Sequence, residues 1–159
     1  MAERIFAAAR ANGARLIIND RADFAAVFGH GVHLGQADLE PLAARRLLPA
    51  GAIAGLSTHN AAQLAAAAAE PVDYVALGPI FATGSKQNPD PAVGLDNLRS
   101  WRNLSARPLA AIGGITLDNA EAVWAAGADS VAVIAGLLPD PLTAESLRVR
   151  VKEWLNLLK

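Results

Sequence analysis

The chain has 159 residues, a formal net charge of −1, 53% hydrophobic and 18% charged residues, and no cysteine. That balance excludes intrinsic disorder, a strong field for nucleic acid or an anionic membrane, a disulfide framework, a thiolate zinc site and a cysteine nucleophile. No apolar run reaches the roughly 20 residues of a membrane span. The N-terminal stretch MAERIFAAARANGAR mixes charge into its apolar residues, unlike a signal peptide. A single globular domain over residues 1–159, in the cytoplasm, is the expectation.

In chain order, alanine-rich helical stretches alternate with short apolar runs. A helix is expected over Ala2–Ala11, then a strand over Arg15–Ile18 and a helix over Ala22–Val27. A strand over Gly31–Leu34 and a helix over Leu39–Leu48 follow, then Ala52–Leu56 and Asn60–Ala69 as strand and helix. The remaining strands are Asp73–Leu77, Leu109–Ile112 and Ser130–Val133, with helices over Leu95–Leu104, Asn119–Ala126 and Thr143–Leu158. The strand runs are apolar without alternation, as in strands covered on both faces. Asp38 and Asp118 stand where a carboxylate caps a helix start, and Gly13, Gly29 and Gly127 where glycine closes one. Strands begin roughly every 20 residues, a βα rhythm that calls for a parallel sheet. One longer interval holds GPIFATGSKQNPDPAVG (Gly78–Gly94), too polar for a core. Long loops of this kind are usually functional.

In parallel α/β folds ligands sit at the carboxyl ends of the strands. The residues following each expected strand are Asn19 and Asp20; Gly35, Gln36 and Asp38; Ser57, Thr58 and His59; Thr83, Ser85 and Lys86; Gly113 and Gly114; Ala135 and Gly136. Carboxylates, a lysine, hydroxyls and glycine turns form an inventory for phosphate and a divalent cation, and hard oxygen ligands suit magnesium. Gly113-Gly114 lets backbone N–H groups approach an anion closely. Each residue also has a plainer reading. Asp20 and Asp38 serve as helix caps, Lys86 as a solvated loop lysine, Gly113-Gly114 as a tight turn, and Thr83 and Ser85 as loop hydroxyls. His59 starts a helix, and His33, inside a strand, reads as structural. It is their placement after successive strands that favours a site.

The stretches LIINDR (Leu16–Arg21), GVHLGQADL (Gly31–Leu39), GLSTHN (Gly55–Asn60), YVALGPIFATGSK (Tyr74–Lys86), AAIGGIT (Ala110–Thr116) and AGADSVAVIAGL (Ala126–Leu137) resemble thiamine-phosphate synthase, in order and across nearly the whole chain. The resemblance implies a TIM-type (β/α)8 barrel, of which six strands are visible here. It implies a transferase that joins hydroxymethylpyrimidine diphosphate to thiazole phosphate and releases pyrophosphate, by a dissociative, magnesium-dependent path that needs no protein nucleophile. By position, Asp20 and Asp38 resemble the magnesium ligands. Asn19, Ser57 and Lys86 resemble contacts to the pyrimidine diphosphate, with Lys86 and Ser57 catalytic; no base stands near Ser57 in sequence. Thr83, Gly84, Ser85, Gly113, Gly114, Ile134 and Ala135 resemble the thiazole-phosphate site. The family commonly has serine where Ala135 stands, and its Gln-x-Arg-x-Lys-like stretch has no counterpart here. The first strand, first helix and second strand that the family barrel implies are missing here, so a fragment or a misplaced start is expected. Unpaired edges at Arg15–Ile18 and Ser130–Val133 imply self-association, and little synthase activity by the 159-residue chain alone. The alternatives are a thiazole tautomerase-like paralogue, and a non-catalytic thiazole-phosphate-binding remnant.

Overall fold

Short β-branched and leucine runs separated by alanine-rich segments bury most area when strands stack side by side under helices. The computed structural model describes residues 2–84 and 90–157 and has this alternation throughout. Six strands, β1 (Ile17–Asn19), β2 (Gly31–Leu34), β3 (Ala54–Thr58), β4 (Tyr74–Leu77), β5 (Leu109–Ile112) and β6 (Ser130–Ala132), follow one another in sheet order as in sequence. The helices are α1 (Ala2–Ala11), α2 (Ala22–Phe28), α3 (Pro41–Leu47), α4 (Ala61–Ala67), α5 (Gly94–Trp101), α6 (Ala120–Ala125) and α7 (Ala144–Leu157). Among the described residues, no helix is long and apolar enough to cross a membrane.

The chain divides into two compact units, Met1–Ser57 with Ala69–Tyr74, and Thr58–Ala68 with Val75–Lys159. In the first unit, β1 runs parallel to β2 with Ile17 opposite Gly31, and β2 parallel to β3 with Val32 opposite Ala54. Val32, Leu34, Ala54 and Leu56 are buried, together with Ala22 and Ala25 of α2 and Ala44 of α3. In the second unit, β4 pairs β5 and β5 pairs β6, again parallel. Val75, Leu77, Leu109 and Ala111 form its buried sheet face, with Leu64, Leu98 and Val123 from the helices. Trp154 of α7 is 7% exposed, and its indole Nε1–H donates to the Gly136 carbonyl at 3.0 Å, tying α7 to the turn after β6.

Each unit uses the same polar clamp. In the first, Arg45 of α3 donates to the carbonyls of Ala52 and Pro71 and, at 2.8 Å, to Asp73 Oδ2; that oxygen also takes the Ala54 N–H at 2.7 Å. In the second, Arg102 donates to the carbonyls of Ser105 and Gly127 and, at 2.8 Å, to Asp129 Oδ2, which takes the Leu109 N–H. An arginine fork thus satisfies loop carbonyls while an aspartate before one strand caps the first N–H of its neighbour.

Two expected helix caps are corrected. Glu40, not Asp38, is the N-cap position of α3, because Pro41 occupies the first helical turn. Asn119, not Asp118, takes that place in α6; its Oδ1 accepts the Thr116 N–H at 2.8 Å and its Nδ2 donates to the Gly114 carbonyl. A 3-10 turn over Ala135–Leu137, where no element is expected, follows β6.

Candidate functional site

In the first unit the turn after β1 reverses sharply at Asp20, the one non-glycine residue with positive φ (63°) among those described. Its N–H donates to the His33 carbonyl at 2.8 Å, and the Arg21 N–H turns back to the Asn19 carbonyl at 2.7 Å. A left-handed conformation is tolerated by aspartate better than by most residues, and such positions gather at functional sites. Asn19 and Asp20 are both exposed. After β2, Asp38 is held differently: its Oδ2 accepts the Gly35 N–H at 2.6 Å. Its Oδ1 has no partner among the described residues. Two carboxylates at consecutive strand ends, one on a turn fixed by its own backbone N–H and one held through its Oδ2, are a donor set that fits a hard divalent cation. Among the described residues no group of three or more His, Asp or Glu gathers as a metal cage, so such an ion would draw its further ligands from substrate and water.

Ser57, near the end of β3, has a partner that its sequence neighbours do not offer: its Oγ lies 2.8 Å from His33 Nε2 on β2. The other ring nitrogen, Nδ1, is hydrogen-bonded at 2.8 Å to the hydroxyl of Tyr74 on β4, and the two rings stack with centroids 5.5 Å apart. His33 is thus more than a filler of its strand. Gln36 Nε2 donates to the Ser57 carbonyl at 2.6 Å and braces the same strand end. Period-two alternation was the available signal: Val32 and Leu34 are buried, so His33 points to the opposite face.

Burial holds the His33 imidazole below its ordinary value of 6.5, with Asp38 opposing weakly, and burial also raises the Tyr74 phenol. Below pH 6.5 the unfolded chain therefore binds a proton that folded His33 resists, so stability present above 6.5 is lost as pH falls through it. Urea unfolding midpoints should drop on moving from above to below that pH, and the drop should shrink in His33→Gln. An equal drop in both proteins would assign it to other groups.

In the second unit, Gly113 (φ 95°) and Gly114 (φ 66°) form the turn after β5. A Cβ on Gly113 would lie 2.5 Å from Pro79 Cβ, and one on Gly114 2.7 Å from Phe81 Cβ. The segment after β4 is laced to this turn through Ile80 N–H to the Ile112 carbonyl and Phe81 N–H to the Gly113 carbonyl. The turn after β6 closes on it: a Cβ on Gly136 would meet the Ile115 carbonyl at 2.8 Å. Neither the Gly113 nor the Gly114 N–H has a partner among the described residues. Two touching turns with open amides are suited to an anion. Ile134 and Ala135 lie on the exposed side of the second turn. Thr83 is half-buried and Gly84 exposed, with no atom of the described residues within 4 Å of where its Cβ would stand. Ser85 and Lys86 lie outside the described residues.

His59 precedes the N-cap of α4, Asn60, whose Oδ1 accepts the Gln63 N–H, while Gln63 Oε1 accepts the His59 N–H. Its Nδ1 donates to the Gly78 carbonyl at 2.6 Å and stands 3.5 Å from Asp90. The imidazole therefore anchors the start of the β4–α5 loop, a role its sequence position alone did not assign.

A family model described as thiamine monophosphate synthase matches residues 1–137. A thiamine-phosphate synthase of Koribacter versatilis is 56% identical over 144 residues, covering 90% of this chain and 65% of that protein. A thiamine-phosphate synthase of Azorhizobium caulinodans is 46% identical over 140 residues, covering 87% and 66%. The structure of a thiamine phosphate pyrophosphorylase from Pyrococcus furiosus matches with a TM-score of 0.80 and 30% identity, over 93% of this chain and 69% of that one. The chain spans about two thirds of the length of these curated relatives.

Proposed function

The chain belongs to the thiamine monophosphate synthase family, and we propose that it is a cytoplasmic transferase condensing hydroxymethylpyrimidine diphosphate with thiazole phosphate to thiamine phosphate and pyrophosphate. The observation that carries this reading is the pair of carboxylates, Asp20 and Asp38, set at consecutive strand ends by backbone hydrogen bonds. They would hold Mg2+, which when bound supplies positive charge against the diphosphate leaving group. Lys86 adds a second positive charge to the departing pyrophosphate. Asn19 and Ser57 contact the pyrimidine diphosphate, Ser57 through its hydroxyl. Thr83, Gly84 and Ser85 cover the thiazole phosphate, and Gly113, Gly114, Ile134 and Ala135 receive it through backbone N–H groups. The bond from the pyrimidine methylene to the diphosphate oxygen breaks first, and the thiazole nitrogen then attacks the resulting cation. That order asks the protein for charge and orientation and for no nucleophile, in keeping with a chain without cysteine.

The test is product analysis with both substrates. Thiamine phosphate forming only when both substrates and magnesium are present is the expected result. Isomerisation of a thiazole carboxylate phosphate without magnesium would replace the synthase reading with a tautomerase; binding of thiazole phosphate with no turnover would make the chain a binding protein.

A second expectation concerns Ala135. A serine there adds one hydroxyl donor beside the phosphate, and at this exposed turn that bond contributes on the order of 1 kcal/mol. Ala135→Ser should tighten thiazole phosphate about fivefold in a calorimetric titration. Unchanged affinity would place the phosphate away from that turn.

A further inference from the structure

We propose that Tyr74 is a positioning residue that sets the tautomer of His33, so that His33 Nε2–H donates to Ser57 Oγ and the Ser57 proton is directed to a substrate acceptor. The identity of that acceptor rests on the synthase reading; the relay itself rests on the geometry of β2, β3 and β4.

A neutral imidazole has one N–H and one lone pair, so what binds one nitrogen decides the state of the other. The Tyr74 hydroxyl stands 2.8 Å from His33 Nδ1 and has no other hydrogen-bond partner among the described residues. A phenol donates more readily than it accepts, which leaves Nδ1 as the acceptor and places the ring proton on Nε2. Ser57 Oγ, 2.8 Å away, then accepts, and its own hydrogen points elsewhere. Ser57 Oγ has no second partner in the described chain, so that hydrogen is available to a ligand. Without Tyr74 the ring is free to adopt the opposite tautomer, which would take the serine proton and turn Ser57 from a donor into an acceptor.

The backbone is shaped for this reach. His33 on β2 lies opposite Gly55 on β3. A Cβ at Gly55 would fall 2.2 Å from Tyr74 Cζ and 2.5 Å from its hydroxyl. Only glycine leaves room for the tyrosine to lean across β3 and meet the imidazole. The near-parallel rings, 22° between planes, add contact that holds the pair in register.

Nitrogen NMR of isotope-labelled histidine in the 159-residue chain reads the tautomer directly. The Nε2–H form is expected for His33 in the unmutated protein and in Ser57→Ala, with a shift toward Nδ1–H in Tyr74→Phe. A His33 already in the Nδ1–H form, or one unmoved by Tyr74→Phe, overturns the proposal; the unmutated spectrum decides even should the variant fail to fold. In turnover, Tyr74→Phe should cost about fivefold to tenfold, as for one lost hydrogen bond. The same change in a Ser57→Ala background should cost nothing further. Additive losses would assign Tyr74 a separate role. An unmutated chain with the expected tautomer but no thiamine phosphate product removes the synthase reading and leaves the relay standing.

Discussion

Neutralising either carboxylate should reduce magnesium-dependent turnover on the order of a hundredfold to a thousandfold, the range seen when transition-state charge loses one stabilising group. The choice of substitution matters. Asp20 has φ 63°, where alanine pays a backbone penalty, so Asp20→Asn isolates the charge from the turn. Asp38→Asn likewise retains an oxygen for the Gly35 N–H, whereas Asp38→Ala also releases the loop. Both asparagine variants should melt close to the unmutated protein, since the two side chains are exposed. Pyrophosphate release followed against magnesium concentration, with a thermal melt beside it, checks this. A variant that keeps its magnesium-dependent rate and loses only stability would show that its carboxylate serves the turn alone.

The second large effect is structural. Gly114→Ala should destabilise the protein by about 2–4 kcal/mol, summing roughly 1 kcal/mol for a left-handed alanine and 1–3 kcal/mol for overpacking. The clash is with backbone and Cβ atoms of Phe81 and Ala82, which cannot step aside as a flexible side-chain tip would. Gly113→Ala should behave the same way against Pro79. Gly84→Ala is the control, because no atom of the described residues lies within 4 Å of its would-be Cβ. Urea unfolding of the three variants separates them: losses at Gly113 and Gly114 with none at Gly84 support the interlocked turns, and equal losses would refute them. Thiazole-phosphate affinity should fall at the same two positions, because the displaced turn carries the open amides.

Most of the fold was legible because each element is short, uniform and punctuated. Gly31–Leu34, Leu109–Ile112 and Ala2–Ala11 are found at their expected bounds. The errors lie at ends, where local competition decides. Pro41 moved the start of α3 past Asp38, and the stretch after Trp101 tightens into a 3-10 turn over Arg102–Leu104. The placement of site residues was legible in part: Asp20, Asp38, Gly113 and Gly114 follow strands as a parallel sheet requires, whereas Asn19 and Ser57, expected after strands, are the last residue of β1 and a residue within β3. What the sequence hid was every pairing across strands. His33 and Ser57 are 24 residues apart, and His33 and Tyr74 41 apart. Such pairs depend on register, and a one-residue slip would send each side chain to the other face. The αL turn at Asp20 was hidden for a related reason, because it arises from the Asp20 N–H reaching the carbonyl of His33 on the neighbouring strand.

If the proposed function holds, the chain binds its two substrates at separate sets of strand ends, a diphosphate with magnesium at β1–β3 and a phosphate after β5 and β6. Backbone amide NMR of the 159-residue chain, titrated with magnesium pyrophosphate and separately with thiazole phosphate, tests this most directly. Magnesium pyrophosphate should perturb Asn19, Asp20, Asp38 and Ser57, and only with the metal, while thiazole phosphate should perturb Gly113, Gly114 and Ala135 without it. Pyrophosphate perturbing the glycine turns, or binding without regard to magnesium, would contradict it.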